Sequence, residues 1–131
     1  MRPLTLYIQT ILICVSFFSI VNANPLVISN KEWVLFKIID LQARKEIFVD
    51  EYHFLKFGNG RVSFKIDCNI CSDSCEFISR DSIYFRGYPM CTRKGCFDTD
   101  KIKIAYSGKY KIWKEGSYLI IRTNEGDHVY K

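Results

Sequence analysis

Residues 52–66, Tyr52-His-Phe-Leu-Lys-Phe-Gly-Asn-Gly-Arg-Val-Ser-Phe-Lys-Ile66, carry the clearest fold signal in the chain. Two strand-like runs, Tyr52–Phe57 and Arg61–Ile66, flank the sequence Gly58-Asn59-Gly60. An Asn-Gly pair tolerates the positive φ angles of a type I′ turn, whose twist matches that of paired antiparallel strands. Apolar side chains alternate in the second run, which prepares one face of that strand for burial. The segment therefore predicts a β-hairpin.

Similar runs continue on both sides of this hairpin. They are rich in β-branched and aromatic residues and are bounded by Gly, Asn and charged turns. They predict strands at residues 33–39, 46–49, 75–78, 82–85, 109–113, 117–123 and 128–130. Short strands separated by such turns are typical of a small antiparallel sheet that is closed or rolled on itself. The predicted fold class is mainly β, or α+β at most.

One stretch, Asp98–Ser107, fits two structures. Ile102 and Ile104 alternate with polar neighbours as in a strand, whereas Asp98 or Thr99 offers a cap for a short helix. Periodicity leaves both structures open over so few residues.

Residues 1–23 have the parts of a signal peptide. Arg2 is the only charged residue before Lys31, an apolar run follows it, and small residues stand at the −3 and −1 positions before a cleavage point after Ala23. We expect cleavage there, which leaves residues 24–131 as one domain of about 108 residues with no stable membrane span.

Two other uses of the leader are less well supported. An uncleaved anchor needs a longer uninterrupted run, and Gln9 and Thr10 break this one. A lipoprotein would be modified at Cys14, but the apolar run continues from Val15 to Val21 beyond that cysteine.

The charge pattern argues against nucleic-acid binding. The chain has 19 basic and 14 acidic residues, a net charge of +5, and loses only Arg2 with the leader. Eight lysines are scattered among apolar residues: Lys37, Lys56, Lys65, Lys101, Lys103, Lys109, Lys111 and Lys114. Scattered lysines of this kind indicate a solvated sheet face rather than a nucleic-acid footprint.

Five cysteines lie close together in the middle of the chain: Cys68, Cys71, Cys75, Cys91 and Cys96. In an exported chain, disulfides are the usual role of clustered cysteines. A bridge from Cys68 to Cys96 would close a loop of about 29 residues and stabilise the fold by roughly 3–4 kcal/mol. A second bridge would join Cys91 to Cys71 or Cys75. One cysteine of the five is left to remain free or to pair with another molecule.

Two other interpretations of the cysteines are weaker. Cys68-x2-Cys71 is a zinc-ligand spacing, but an oxidising compartment works against thiolate sites. The same pair lacks the strand-to-helix setting that activates a redox thiol. We therefore predict no metal and no cofactor.

No pattern of residues indicates catalysis. The chain has only two histidines, His53 and His128, and both lie in predicted strands. Asp50-Glu51, Asp98 and Asp100 are most simply explained as turn and cap acids. The chain also lacks a Gly-rich phosphate loop, a G-x-S-x-G elbow and an H-E-x-x-H motif. We expect a protein that is not an enzyme.

The order of several motifs adds a family resemblance. They are Trp33-Val-Leu, a Cys68-Asn69 step after Gly60-Arg-Val-Ser63, Asp81-Ser-Ile-Tyr-Phe85, Thr92-Arg-Lys-Gly-Cys96, and a closing Tyr110-Lys-Ile with Leu119-Ile-Ile. Over residues 31–130 this order resembles the META domain, or HslJ-like, family of secreted and envelope proteins. The chain departs from that pattern at Asp67 and at Cys75-Glu76, and its segment between Cys96 and Tyr110 is short.

The resemblance implies a fold and a location, but no catalytic residues. It implies a small antiparallel β-roll or cracked barrel with one helix after the Thr-Arg-x-x-Cys motif, which favours a short helix near Thr99–Ser107. It also implies that Cys68 and Cys96 form the family's own disulfide. Cys91 with Cys71 or Cys75 would then be an added one.

We therefore expect a non-enzymatic, disulfide-stabilised META-like protein of the periplasm or cell exterior, acting as an interaction or envelope-stress module. The alternative is a lipocalin-like or pilotin-like carrier of a small hydrophobic ligand, since a cracked barrel with an apolar interior can hold one. Such a carrier fails if its own side chains fill the interior, and the side chains expected there are Phe54, Phe64, Phe85, Tyr110 and Ile120. Thiol-redox or metal-handling activity is a weaker third hypothesis.

Overall fold

The structure is a computed structural model that describes residues 28–96 and 100–131. The predicted signal peptide, residues 1–23, lies outside these ranges, so its cleavage stays a prediction. Within the ranges, a membrane-spanning helix is not found, because none reaches the required length and hydropathy. The described residues form ten strands: β1 (Glu32–Asp40), β2 (Lys45–Phe48), β3 (Phe54–Gly58), β4 (Arg61–Ile66), β5 (Asn69–Ser79), β6 (Ser82–Phe85), β7 (Met90–Cys91), β8 (Gly108–Glu115), β9 (Tyr118–Arg122) and β10 (Asp127–Tyr130).

Eight of these strands close into an antiparallel barrel, which confirms the predicted fold class. They follow one another around the sheet in the order β1, β3, β4, β5, β6, β8, β9 and β10, and β10 returns to β1. β1 closes the barrel because its first residues pair with β3 while its other edge pairs with β10. Two short strands lie off this ring: β2 pairs with the second half of β1, and β7 pairs with β5.

The predicted hairpin at residues 52–66 is confirmed as β3 and β4. Asn59 and Gly60 form its turn with φ angles of 52° and 69°, and Gly58 pairs with Arg61. Two further hairpins, β5–β6 and β8–β9, also lie where apolar runs between turns predict their strands. β5 begins earlier than predicted. The prediction missed its first half, Asn69–Ser74, because that half is too polar to show an apolar alternation.

The barrel interior is packed with large side chains. Fully buried residues come from nearly every strand of the ring, and Phe85 stacks on Tyr106 with ring centroids 5.0 Å apart. Trp33 is only 1% exposed, and its indole N–H donates to the carbonyl of Ile28 at 3.0 Å. The buried cluster contains Ile28, Trp33, Leu35, Leu55, Phe57, Val62, Ile83, Phe85, Ile104, Tyr106, Ile112, Leu119, Ile121 and Tyr130.

The short helix predicted near Thr99–Ser107 is wrong for residues 100–107, which form an irregular connection; Thr99 lies outside the described residues. Two successive backbone N–H groups of this connection donate to the carboxylate of Glu51, at 2.6 and 3.1 Å. Ile104 and Tyr106, two positions apart, are both buried in the core. A helix would point side chains two positions apart to different faces, whereas an extended chain points them to the same face.

Candidate functional site

Four of the five clustered cysteines form two disulfides, and the fifth remains a free thiol. Cys68 is bonded to Cys96 and Cys71 to Cys91, with sulfur–sulfur distances of 2.10 and 2.01 Å, while Cys75 is free. The sequence left Cys71 and Cys75 open as partners of Cys91. Cys71 takes that place because it lies directly opposite Cys91 where β5 pairs with β7. Two disulfides fit an oxidising extracellular or periplasmic setting.

The two disulfides hold residues 86–96, which we call the crosslinked segment. No residue of this segment is fully buried, and Tyr88 and Met90 are 79% and 77% exposed. Its start is fixed at Gly87, whose φ of 83° and close approach to Ser107 leave no room for a side chain. The carboxylate of Asp73 also accepts a hydrogen bond from the Gly87 N–H at 2.7 Å. Packing against the core therefore contributes little to holding this segment.

Asn69 provides the main polar clamp on the crosslinked segment. Its Oδ1 accepts hydrogen bonds from the Lys94 N–H at 2.7 Å and from the Thr92 hydroxyl at 3.1 Å. The Thr92 hydroxyl oxygen in turn accepts from the Ile70 N–H at 3.1 Å. The Cys68-Asn69 step thus anchors the segment through a disulfide and an amide at once.

The free thiol of Cys75 is poorly suited to redox chemistry. Cys75 is half-buried and packs against the core. Burial, assisted by the carboxylate of Asp73, raises the pKa of the thiol to about 11. The thiolate is the reactive form, so a thiol with such a pKa is a weak nucleophile at neutral pH.

Three of the five side chains predicted to fill the barrel belong to the core or pack against it. Phe85 belongs to the buried cluster, and Phe64 and Tyr110 pack against it. Phe54 and Ile120 lie outside that cluster, because strand alternation turns their neighbours Leu55, Leu119 and Ile121 inward instead, although Ile120 is itself buried. Aromatic and aliphatic side chains nevertheless pack together in the interior.

A hydrogen-bonded network of two tyrosines and a histidine lies among these interior side chains. The Tyr106 hydroxyl lies 2.7 Å from His128 Nδ1 and 2.7 Å from the Tyr130 hydroxyl. Burial lowers the pKa of His128 to about 4, although the nearby carboxylate of Asp127 opposes this shift. Burial also raises the pKa of both tyrosines. The network is therefore neutral at pH 7.

A second polar cluster lies where the loop before β3 meets the connection at residues 100–107. The Glu51 carboxylate accepts from His53 Nε2 at 3.0 Å and from the backbone N–H groups of Lys101 and Ile102. These hydrogen bonds, that of His53 first, lower the pKa of Glu51 to about 2. One possible ligand atom from each of Glu51, His53 and Asp100 lies within 4.8 Å of the others. We call these three residues the carboxylate–histidine cluster.

Two lysines and a small cavity border the carboxylate–histidine cluster. Lys65 Nζ lies 3.4 Å from both carboxylate oxygens of Asp100, and Lys103 Nζ lies 2.7 Å from Asp67. The cavity has a volume of about 40 Å³, and its lining includes His53, Asp100, Lys65 and Asp67. His53 is 3% exposed, and its Nδ1 is a buried side-chain atom without a hydrogen-bond partner among the described residues.

Sequence reasoning missed the carboxylate–histidine cluster. It treated Glu51 and Asp100 as turn and cap acids and His53 as a strand residue. The only local signal was the spacing Glu51-x-His53, which places two side chains on the same side of an extended chain. Asp100 comes from a distant connection, and nothing in its own neighbourhood indicates where that connection lies.

The outer surface of the barrel carries an aromatic cluster of Phe36, Phe48 and Tyr118. Phe36 meets Phe48 edge to face, with ring centroids 5.4 Å apart, and stacks on Tyr118 at 6.1 Å. Lys131 Nζ lies 4.5 Å from the Phe36 ring centroid and Lys37 Nζ lies 5.8 Å from it. The cluster is thus an exposed aromatic surface with a basic border.

No known protein family, curated protein or solved structure was found to match this chain. The META-like resemblance therefore stays a prediction from the order of the sequence motifs.

Proposed function

We propose that this chain is a non-enzymatic, disulfide-stabilised interaction module of the periplasm or cell exterior. It binds a partner protein through the aromatic cluster and the neighbouring edge of β2. The observation that carries this proposal is the contrast between a barrel interior filled by its own side chains and an exposed aromatic surface. The META-like resemblance supports the location and an envelope-stress role, and the two disulfides support the oxidising compartment.

The composition of this surface favours protein binding. Phe48 is 62% exposed and Ile47 44% exposed, although both are large apolar residues in a strand. Aromatic residues are enriched at protein interfaces, and exposed apolar patches with polar borders mark such sites. In the described part of the chain, β2 pairs with β1 alone, so its other edge is available to a further strand. An extended segment of a partner adds to a free edge of this kind through backbone hydrogen bonds.

The charges around the aromatic cluster indicate which charge a partner should carry. Lys37 and Lys131 border the aromatic cluster, and Arg44 and Lys45 stand at the start of β2. Glu46 is the one acidic residue of β2, and it forms an ion pair with Lys37 at 2.7 Å, so these two charges offset each other and Lys131, Arg44 and Lys45 remain. The surface is therefore complementary to an extended, acidic segment of a partner protein.

The interior and the histidines support this proposal over the alternatives. A carrier needs interior space for a ligand, whereas side chains from around the ring pack together here. His128 is hydrogen-bonded to Tyr106, and His53 to Glu51. The high pKa of Cys75 speaks against thiol-redox chemistry.

A synthetic peptide in which glutamate alternates with valine tests the proposed surface. We expect its titration into the oxidised, isotope-labelled protein to produce saturable shifts of the β2 amides in NMR spectra. A peptide with lysine in place of glutamate should produce much weaker shifts, since it opposes the local charge. Phe48→Ser should weaken binding of the acidic peptide by about tenfold, which corresponds to the loss of one buried aromatic contact.

Met90→Ser is the matched control, because Met90 is also exposed and apolar but lies in the crosslinked segment. It should bind the acidic peptide as the wild-type protein does. Shifts that spread away from β2, or equal binding by the Phe48 variant, would refute this surface as the binding site.

A further inference from the structure

We propose that Glu51, His53 and Asp100 form a binding site for a divalent transition-metal ion, with Zn²⁺ the cation that fits best. The proposal is independent of partner binding at the aromatic cluster. The three side chains offer one imidazole nitrogen and two carboxylate groups, with a potential ligand atom from each within 4.8 Å of the others. Histidine with carboxylates is a donor set that Zn²⁺ uses, at metal–ligand distances of about 2.0–2.2 Å.

Backbone hydrogen bonds hold two of these donors in place. The backbone carbonyl of His53 accepts a hydrogen bond from the Leu35 N–H at 2.8 Å, which fixes the histidine to β1. Glu51 is held by the backbone N–H groups of Lys101 and Ile102. Ligands held by such neighbours need little rearrangement to meet a metal ion.

The buried histidine is the independent reason to expect a ligand here. His53 is 3% exposed, and its Nε2 lies 3.0 Å from the Glu51 carboxylate, a separation that one ion bound to both atoms can span. His53 also lines the cavity of about 40 Å³ that Asp100 lines from the other connection. That volume is sufficient for one ion or one water molecule.

The lysine beside Asp100 makes the proposal more specific. Lys65 Nζ lies 3.4 Å from both oxygens of Asp100, a long contact for an ion pair, and its side chain is 19% exposed. A metal ion that binds Asp100 must compete with this ammonium group. We therefore expect the Lys65→Met variant to bind Zn²⁺ more tightly than the wild-type protein.

The test is a Zn²⁺ titration of the oxidised, chelator-stripped protein in a Cys75→Ser background, which removes the free thiol as a ligand. NMR follows the ring nitrogens of the two histidines of the chain. The His53 nitrogen signals should shift with one Zn²⁺ per chain. Those of His128 should stay in place, because Tyr106 already occupies its Nδ1.

Asp100→Asn should weaken Zn²⁺ affinity by about 10–100-fold, the range typical of damaged metal sites. Asp67→Asn is the matched control: it removes a carboxylate that lines the same cavity but is not one of the three donors. This control should change the affinity by less than about threefold, and Lys65→Met should raise it. His53 signals that do not respond to excess Zn²⁺, or equal losses in the two asparagine variants, would overturn the proposal. Either result would leave a cluster that only holds residues 100–107 in place.

Discussion

Along the seam between β1 and β10, Trp33, Leu35 and Tyr130 are almost wholly buried, whereas the crosslinked segment contains no fully buried residue. Hydrophobic burial and the tyrosine–histidine network hold the seam. Two disulfides and the Asn69 clamp hold the segment. Covalent bonds are thus placed where the core offers little, as in many small secreted domains. The two regions should therefore lose stability under different conditions. Core substitutions and acid should destabilise the seam, whereas reduction of the disulfides should release the segment.

The largest effect should come from the seam. Trp33→Ala removes a buried indole and its hydrogen bond to Ile28, and we expect the free energy of unfolding to fall by about 3–5 kcal/mol. Urea unfolding of the oxidised protein measures this loss. Met90→Ala in the crosslinked segment should change stability by no more than about 0.5 kcal/mol. Similar losses of unfolding free energy in the two variants would contradict the proposed difference between the regions.

Removing one crosslink should have the next largest effect. The double variant Cys71→Ala/Cys91→Ala should lose about 2–4 kcal/mol, since the unfolded chain gains conformational entropy. Hydrogen exchange should show that residues 86–96 lose protection first while β1 and β10 stay protected. Cys75→Ala, which removes a thiol but no crosslink, is the control and should leave the segment protected. Simultaneous loss of protection in the segment and the seam would show that they form one unit.

Acid should weaken the seam through His128. Its pKa is lowered to about 4 in the folded protein, from an ordinary value of 6.5. Between these values the unfolded chain binds more protons than the folded one, so stability rises with pH across this window and is lost as pH falls through it. The contribution is on the order of 3 kcal/mol. Urea unfolding from pH 4 to 7 measures it.

The matched variant for this pH dependence is His128→Gln, which keeps a hydrogen-bonding group near Tyr106 but does not titrate. Its stability should vary much less between pH 4 and 6.5. The lowered pKa of Glu51 acts in a more acidic window, from 4.5 down to about 2, and so does not obscure the comparison. A wild-type slope retained in His128→Gln would assign the pH dependence to another group.

The smallest effect should come from the polar clamp on the segment. Asn69→Ala removes the acceptor for the Lys94 N–H and the Thr92 hydroxyl, and should cost about 1 kcal/mol. Hydrogen exchange at the Lys94 amide should become faster, with little change at the seam. Asn69→Asp keeps a side-chain oxygen as the acceptor and should preserve protection of that amide. Equal exchange rates in the two variants would exclude the clamp as the cause.

Local turn chemistry made much of the barrel predictable from sequence. Asn59-Gly60 fixed the β3–β4 hairpin, because both residues adopt the positive φ angles that the turn requires. β6, the second half of β5 and the strands of the β8–β9 hairpin were equally visible from apolar runs between turns. These are interactions between neighbours in the chain, so a sequence pattern records them directly.

Long-range contacts limited the rest of the prediction. The first half of β5 is polar, and it forms a strand because β4 and β7 supply its partners. Residues 100–107 were expected to form a helix, but Glu51 accepts two of their N–H groups from a distant loop. The carboxylate–histidine cluster was missed for the same reason, since His53 and Asp100 meet only once the barrel has closed.

The most direct test of a barrel with a crosslinked segment is mass spectrometry of the protein produced in an oxidising compartment. The protein would be denatured and alkylated without reductant, then digested. We predict crosslinked peptides joining Cys68 to Cys96 and Cys71 to Cys91, with Cys75 the single alkylated position between residues 68 and 96. Alkylation of all five of these cysteines would contradict a segment held by disulfides in an oxidising compartment.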